Sequence, residues 1–279
     1  DKNTGIGASA LAANTTASQN TGIGYRALTA NTTGGSNTAV GNDALKQNTT
    51  GTQNVAVGSY AGDAVTTGDD NVSIGYNSLS AATTASDNNV LGSNCGRVIS
   101  SGERNNGHGK DCFYALTTGW RNNAFGHSAL QNNTTGNNNT AFGNEALKTN
   151  TTADDNTAFG SWVLDANTTG TQNVGIGASA LTANTTANNN TAIGYAALKA
   201  NTTGAQNTAV GKNALLQTTT GTQNTALGFE ALYTPTTVSN NTAVGYRALY
   251  SNTTANDNTA VGLKALYANT TGANNVGVG

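Results

Sequence analysis

The sequence predicts an all-β fold: a β-solenoid of the parallel β-helix or β-roll kind, with a strict 17-residue coil. Three observations predict it. An Asn recurs every 17 residues from Asn3 to Asn275 without insertion or deletion. A Gly follows four residues after each of those Asn, from Gly7 to Gly279. Between them, β-branched and apolar residues alternate at two-residue spacing, which is a strand pattern and not a helical one. A period held this strictly means that each repeat is one turn, burying its apolar face against the turns on either side.

We number each coil from its leading Asn as position one. Position two is mostly Thr or Val, and position four is Val, Ile, Leu or Phe in every copy except His108. These positions supply the strand. Gly at position five, with Asn and Gly recurring near positions twelve and fifteen, supplies the positive φ values and local side-chain bonds that corners need. Such a loop has room for two or three short strands, with the next loop ~4.8 Å along the axis. Sixteen complete coils over residues 3–274, with a partial coil at 275–279, then form one array over residues 1–279, a rod of roughly 75 Å. Both ends lack a capping turn, Asp1 and Lys2 at one and Asn275 to Gly279 at the other, so the chain reads as a stretch of something longer.

The position-one column comprises Asn3, Asn20, Asn37, Asn54, Asn71, Asn88, Asn105, Asn122, Asn139, Asn156, Asn173, Asn190, Asn207, Asn224, Asn241, Asn258 and Asn275. Stacked Asn residues pass amide hydrogen bonds from one layer to the next, so this column is expected to be a structural ladder. Leu occupies position nine in 13 of 16 full coils and is expected to fill the interior with the position-four aliphatics. Phe125, Phe142 and Phe159 share position four in successive coils and are expected to stack inside. Position three is Ala, Gly or Ser except at Val90, and position eight is Ala except at Ser78, Cys95, Cys112 and Val163. If position four points inward, position three points outward. A small, apolar outer column suggests that two or more chains pack along it; the alternative is that a narrow coil needs small residues near its corners.

Composition narrows the partners. Only 9% of residues are charged and the net charge is −2, which argues against nucleic acid and anionic membranes, since both require a basic patch. No apolar run approaches the ~20 residues of a membrane span, so no membrane insertion is expected. Little apolar area per coil is set against the entropy of ordering the chain, and the open ends would pair with other strands. Self-association is therefore expected, as a side-by-side trimer or an end-to-end filament.

Residues 88–121 keep the period and change the content. Ile99-Ser100-Ser101 and Leu116-Thr117-Thr118 replace Asn-Thr-Thr, Gly96 and Phe113 replace Leu at position nine, and Arg97, Arg104, Arg121 and Trp120 cluster here. Trp120, Arg104 and Arg121 are candidate contact residues, because Trp and Arg carry much of the energy of interfaces. Tyr233, Tyr250 and Tyr267 form a second candidate contact set, stacked at position ten of three adjacent coils.

Cys95 and Cys112 lie one period apart, which places their Cα atoms ~4.8 Å from each other, within disulfide range. Either they are bonded or both replace Ala as small buried thiols. His108 and His127 nearby do not complete a closed zinc pattern, so neither a metal nor any cofactor is expected. The carboxylates are scattered, with the pairs Asp69-Asp70 and Asp154-Asp155 in turns, and no catalytic grouping emerges. Asn-Thr-Thr recurs at Asn14, Asn31, Asn48, Asn133, Asn150, Asn167, Asn184, Asn201, Asn252 and Asn269. It matches a glycan acceptor pattern, but corner chemistry is the better reading. Stacked Thr also raises an ice-binding role, although adjacent Thr residues in a strand face opposite ways.

The stretch Asn-Thr-Ala-Val-Gly-Tyr-Arg-Ala-Leu-Tyr-Ser-Asn-Thr-Thr from Asn241 resembles repeats of bacteriophage tail-fibre-like and bacterial surface proteins. Its Asn-Thr-Ala-Val-Gly core is similar to the head repeats of trimeric autotransporter adhesins. The resemblance spans essentially the whole chain, although the repeat is longer than the usual adhesin head repeat. It implies a homotrimeric fibre or adhesin segment, extracellular, at the cell surface or on a virion, holding a binding tip that meets a cell-surface glycan or protein. The other expectations are a self-polymerising extracellular filament and an ice- or carbohydrate-binding solenoid.

Overall fold

In the computed structural model, residues 2–279 are described, and Asp1, read above as part of an uncapped start, lies outside them. Two compact units divide the chain at a coil boundary, residues 1–138 and 139–279. Each is a parallel β-solenoid. In the first, three-residue strands run from Thr4–Ile6 to Asn123–Phe125; in the second, from Thr140–Phe142 to Val276–Val278.

Every strand occupies positions two to four of its coil, and within each unit neighbouring strands pair in a register of 17 residues. Thr21 lies opposite Thr38 and Ile23 opposite Val40 in the first unit; Thr208 lies opposite Thr225 and Val210 opposite Leu227 in the second. Residues 88–121 keep this geometry, with strands at Asn89–Leu91 and Asn106–His108, so their altered content is accommodated without an insertion.

Each coil carries one strand, not the two or three expected. The rest of the coil is a chain of turns, because positions seven, nine and seventeen take left-handed φ values, as at Arg26 (54°), Leu28 (53°) and Ser36 (60°). No extended segment survives such alternation. The turns still stack: Leu28 N–H donates to Ala44 O at 3.1 Å, Thr32 N–H to Thr49 O at 2.9 Å, and Ser36 N–H back to Ser18 O at 3.1 Å. Backbone groups that a strand would have paired are thus satisfied by the coil above or below.

The core reverses the expected facing of the strand. Position three is inside: Ala39, Ala56, Ala192 and Ala209 are fully buried. Position four is outside: Phe142, Phe159 and Leu227 are 45%, 51% and 46% exposed. Phe142 and Phe159 do stack, with ring centroids 4.7 Å apart, but on the outer face and not within it. The reason is lumen size. Leu at position nine already fills the interior, so only Ala-sized residues fit opposite it. At Gly175 a Cβ would lie 2.4 Å from Val163 Cγ1, and at Gly107 it would lie 2.6 Å from Cys95 Sγ and 2.9 Å from Phe113 Cδ2. Where one core position grows, position three shrinks. The Ala and Gly columns read as an outer packing face are therefore interior, as the narrow-coil alternative required.

Candidate functional site

Two Asn ladders link successive coils within each unit, the first in every coil and the second with interruptions. At position one, Asn20 Oδ1 accepts Asn37 N–H at 2.9 Å, and Asn37 Nδ2 donates to Gly51 O at 2.8 Å. The ladder expected from the sequence is present, but it joins side chain to backbone more than amide to amide. A second ladder runs through the Asn-Thr-Thr column. Asn48 Nδ2 donates to Asn31 Oδ1 at 2.9 Å and to Gly51 O at 3.0 Å; Asn184 and Asn201 repeat the pattern in the second unit. Asn31, Asn48, Asn133, Asn150, Asn167, Asn184, Asn201 and Asn252 are buried, so their amides are closed to a glycosyl donor. The column does close the corner, each amide bonding the carbonyl three residues on, as Asn31 and Asn269 do to Gly34 and Gly272, and it adds an inter-coil link; Asn14 and Asn269 are half-buried.

The second ladder is interrupted at position twelve by Val65, Ala82, Ile99 and Leu116, and later by Thr218 and Pro235. Orphaned atoms mark the breaks: Asn48 Oδ1 before Val65, and Asn201 Oδ1 with Thr218 Oγ1 at the other. Apolar volume moves with the change. Gly62 at position nine is matched by Val65, and Gly96 by Ile99 and Val90, all three aliphatics being fully buried. This redistribution begins two coils before the divergent stretch and was legible in the pairing of Gly62 with Val65.

Cys95 and Cys112 are bonded, with Cα atoms 4.8 Å apart, and both are buried. The disulfide cross-links the coils that have lost both the second ladder and Leu at position nine. No group of three metal-ligating side chains occurs among the described residues. His108, placed above in a core column, instead stacks on Phe125 at the outer face, 4.6 Å between centroids.

The candidate contact residues fall into two places. Arg121 lies over the Trp120 ring at 4.2 Å, and Arg104, one coil earlier, faces Asp87 at 3.6 Å. Trp120 is 40% exposed. In the second unit Tyr233, Tyr250 and Tyr267 stack as expected, 5.1 and 5.2 Å apart and nearly parallel. Their faces are turned to one another. Arg247 lies 5.2 Å from the Tyr250 ring and is bonded to Glu230 at 2.7 Å, which raises its pKa. Burial pushes the Tyr250 phenol up as well. Burial likewise raises Asp63, partly offset by a backbone hydrogen bond and then by the Lys46 charge, and Asp165, partly offset by Lys148.

The outer strand face carries the most continuous feature of either unit. Positions two and four share it, and no Lys, Arg, Asp or Glu occurs at either position in any coil. Charged side chains are the usual means of keeping an exposed sheet solvated. Comparison with protein-family models, with curated proteins and with solved structures finds no match to the chain.

Proposed function

We propose that the chain is a structural, non-catalytic segment of an extracellular or virion-surface fibre, a rigid spacer or adhesive head that assembles with copies of itself through the outer strand face. The observation that carries this reading is the uncharged apolar stripe at position four. A second copy has the same rise per coil, so stripe can meet stripe in register along its length; a partner of another kind has no such period. Three copies around one axis bury the stripe of each against the other two, which agrees with the resemblance to trimeric adhesin heads. The disulfide fits an oxidising compartment. Burying a half-exposed Val, Ile or Phe contributes about 1 kcal/mol, so several coils acting together are needed to offset the entropy of association.

Sedimentation equilibrium of the full chain at micromolar concentration tests this. A discrete three-chain species supports the closed assembly, an open series of sizes supports filament growth in its place, and a folded monomer overturns self-association. Replacing Phe159 and Leu227 with Lys is expected to yield monomers with unchanged circular dichroism.

A second reading is favoured by one observation: Thr stands at position two in ten coils, beside the aliphatics on the same face. A repeating Thr and aliphatic array is the surface an ice-binding solenoid presents. Thermal hysteresis shown by the parent chain, and lost when Thr208, Thr225 and Thr242 become Lys, would favour it.

A further inference from the structure

The corner formed by positions six, seven and ten in the second unit holds a groove of about 460 Å³, lined among others by Tyr195, Ala196, Lys199, Asn213 and Leu216. That volume lies in the range of small-molecule sites. Its walls follow from the sequence of three coils. Position six runs Ala178, Tyr195, Lys212, Phe229, Tyr246 along the stack. Lys212 Nζ sits between two rings, 5.8 Å from Tyr195 and 5.9 Å from Phe229, and Phe229 stacks on Tyr246 at 5.4 Å. Tyr195 ends this column. Its far face meets only the position of Ala178, which is too short to cover it, and the residue is 56% exposed. Ala196 at position seven, where other coils carry Arg, Glu or Trp, keeps the floor of the groove low.

Lys199 is the one charged residue among those that line the groove, with Asp165 and Glu230 in the flanking coils. From residue 166 to residue 229 there is no Asp or Glu, and the only charged residues are Lys199 and Lys212. Neither forms an ion pair among the described residues. Two unpaired cations beside an uncovered ring create a local positive field in a chain that is net acidic. Some cations on the same corner are matched, as Arg26 is by Asp43 at 2.8 Å and Lys148 by Glu145 at 3.1 Å.

We propose that this groove binds an acidic sugar unit, a uronosyl residue of an anionic glycan. A pyranose offers a face of C–H bonds to the open side of Tyr195, its carboxylate meets Lys199, and its hydroxyls meet Asn213 and the hydroxyl and amide groups of the rim. An aromatic face carries negative potential that suits the C–H face of a sugar. Nucleic acid fits less well: two cations neutralise too few phosphates, and the other rings of the column are already stacked. The groove lies off the strand face that self-association would bury, so the two proposals fail or stand separately.

Isothermal titration of the full chain with tetragalacturonate, its fully methyl-esterified counterpart and inorganic tetraphosphate is the test. Binding of tetragalacturonate alone is expected, weakened about tenfold by Tyr195→Ala, as for loss of one ring contact, and clearly weakened by Lys199→Gln. Ala178→Tyr extends the column with a residue that position six carries at Tyr25, Tyr76 and Tyr246; it covers the open ring face and is expected to remove binding while circular dichroism is unchanged. Absence of tetragalacturonate binding, equal binding of the neutral ester, or tetraphosphate binding as tight and insensitive to Tyr195→Ala would each overturn the proposal.

Discussion

Thr218 interrupts a buried amide ladder, and replacing it with Asn should make the protein more stable. In the second unit Asn167, Asn184 and Asn201 pass Nδ2–H to Oδ1 from coil to coil at 2.9 Å for the last two links. The next coil offers Thr218, fully buried, whose hydroxyl finds no partner, and Asn201 Oδ1 is left unpaired beside it. An Asn at 218 would donate to Asn201 Oδ1 and, through the same amide, to Gly221 O three residues on, as Asn201 does to Gly204 O at 2.9 Å. Gly221 O already accepts Asn207 Nδ2 at 2.8 Å, but Gly204 O takes two amides in the same way, from Asn190 and Asn201. The new Oδ1 would face Pro235 and be orphaned in turn. Two orphans become one, with two bonds gained, and each orphan costs about 1–3 kcal/mol, so a net gain of about 1–2 kcal/mol is expected. Thr218→Val removes only the hydroxyl orphan and should fall between. Native-state hydrogen exchange of amides 201–223, with thermal unfolding alongside, measures the order. If Thr218→Asn is no more stable than the parent, or Thr218→Val exceeds it, the ladder argument is wrong.

Asn207→Ala should cost about 2–6 kcal/mol, because it strands Gly221 O and Asn224 N–H, bonded now at 2.8 and 3.0 Å; exchange at the Asn224 amide reports it. Replacing Cys95 and Cys112 together with Ala, the residue most coils carry at position eight, should cost about 3 kcal/mol for a cross-link of this span. Urea titration of the parent with and without reductant gives the same comparison. Asp165 has a folded pKa raised by burial, so folding favours its protonated form and stability falls as pH rises above the ordinary value of 3.8. Asp165→Asn should therefore melt higher than the parent at neutral pH, and the difference should vanish below pH 3.8; a constant difference across that range would exclude the ionisation as its cause.

The sequence by itself determined the solenoid, its 17-residue coil and the passage of that coil through residues 88–121, because only a fixed contour per turn returns the same residue to the same column. It also placed Cys95 beside Cys112 and Tyr233 beside Tyr250, since residues one period apart are neighbours whatever the shape of the coil. Which way each column faces was decided only in three dimensions. Alternation along a strand gives two faces without saying which is inner, and the usual expectation puts Val and Phe inside and Ala outside. Here Leu28, Leu45 and their equivalents reach across the lumen and leave room only for Ala39 or, opposite Leu266, Gly277, while Phe113 and the cysteines leave room only for Gly107. The left-handed φ at Leu28 and Leu45, 53° and 47°, aims that Leu inward, and no pattern of residue types announces such a φ at a Leu. Packing volume, not hydrophobicity, therefore set the inner face, and the larger aliphatics were left on the surface.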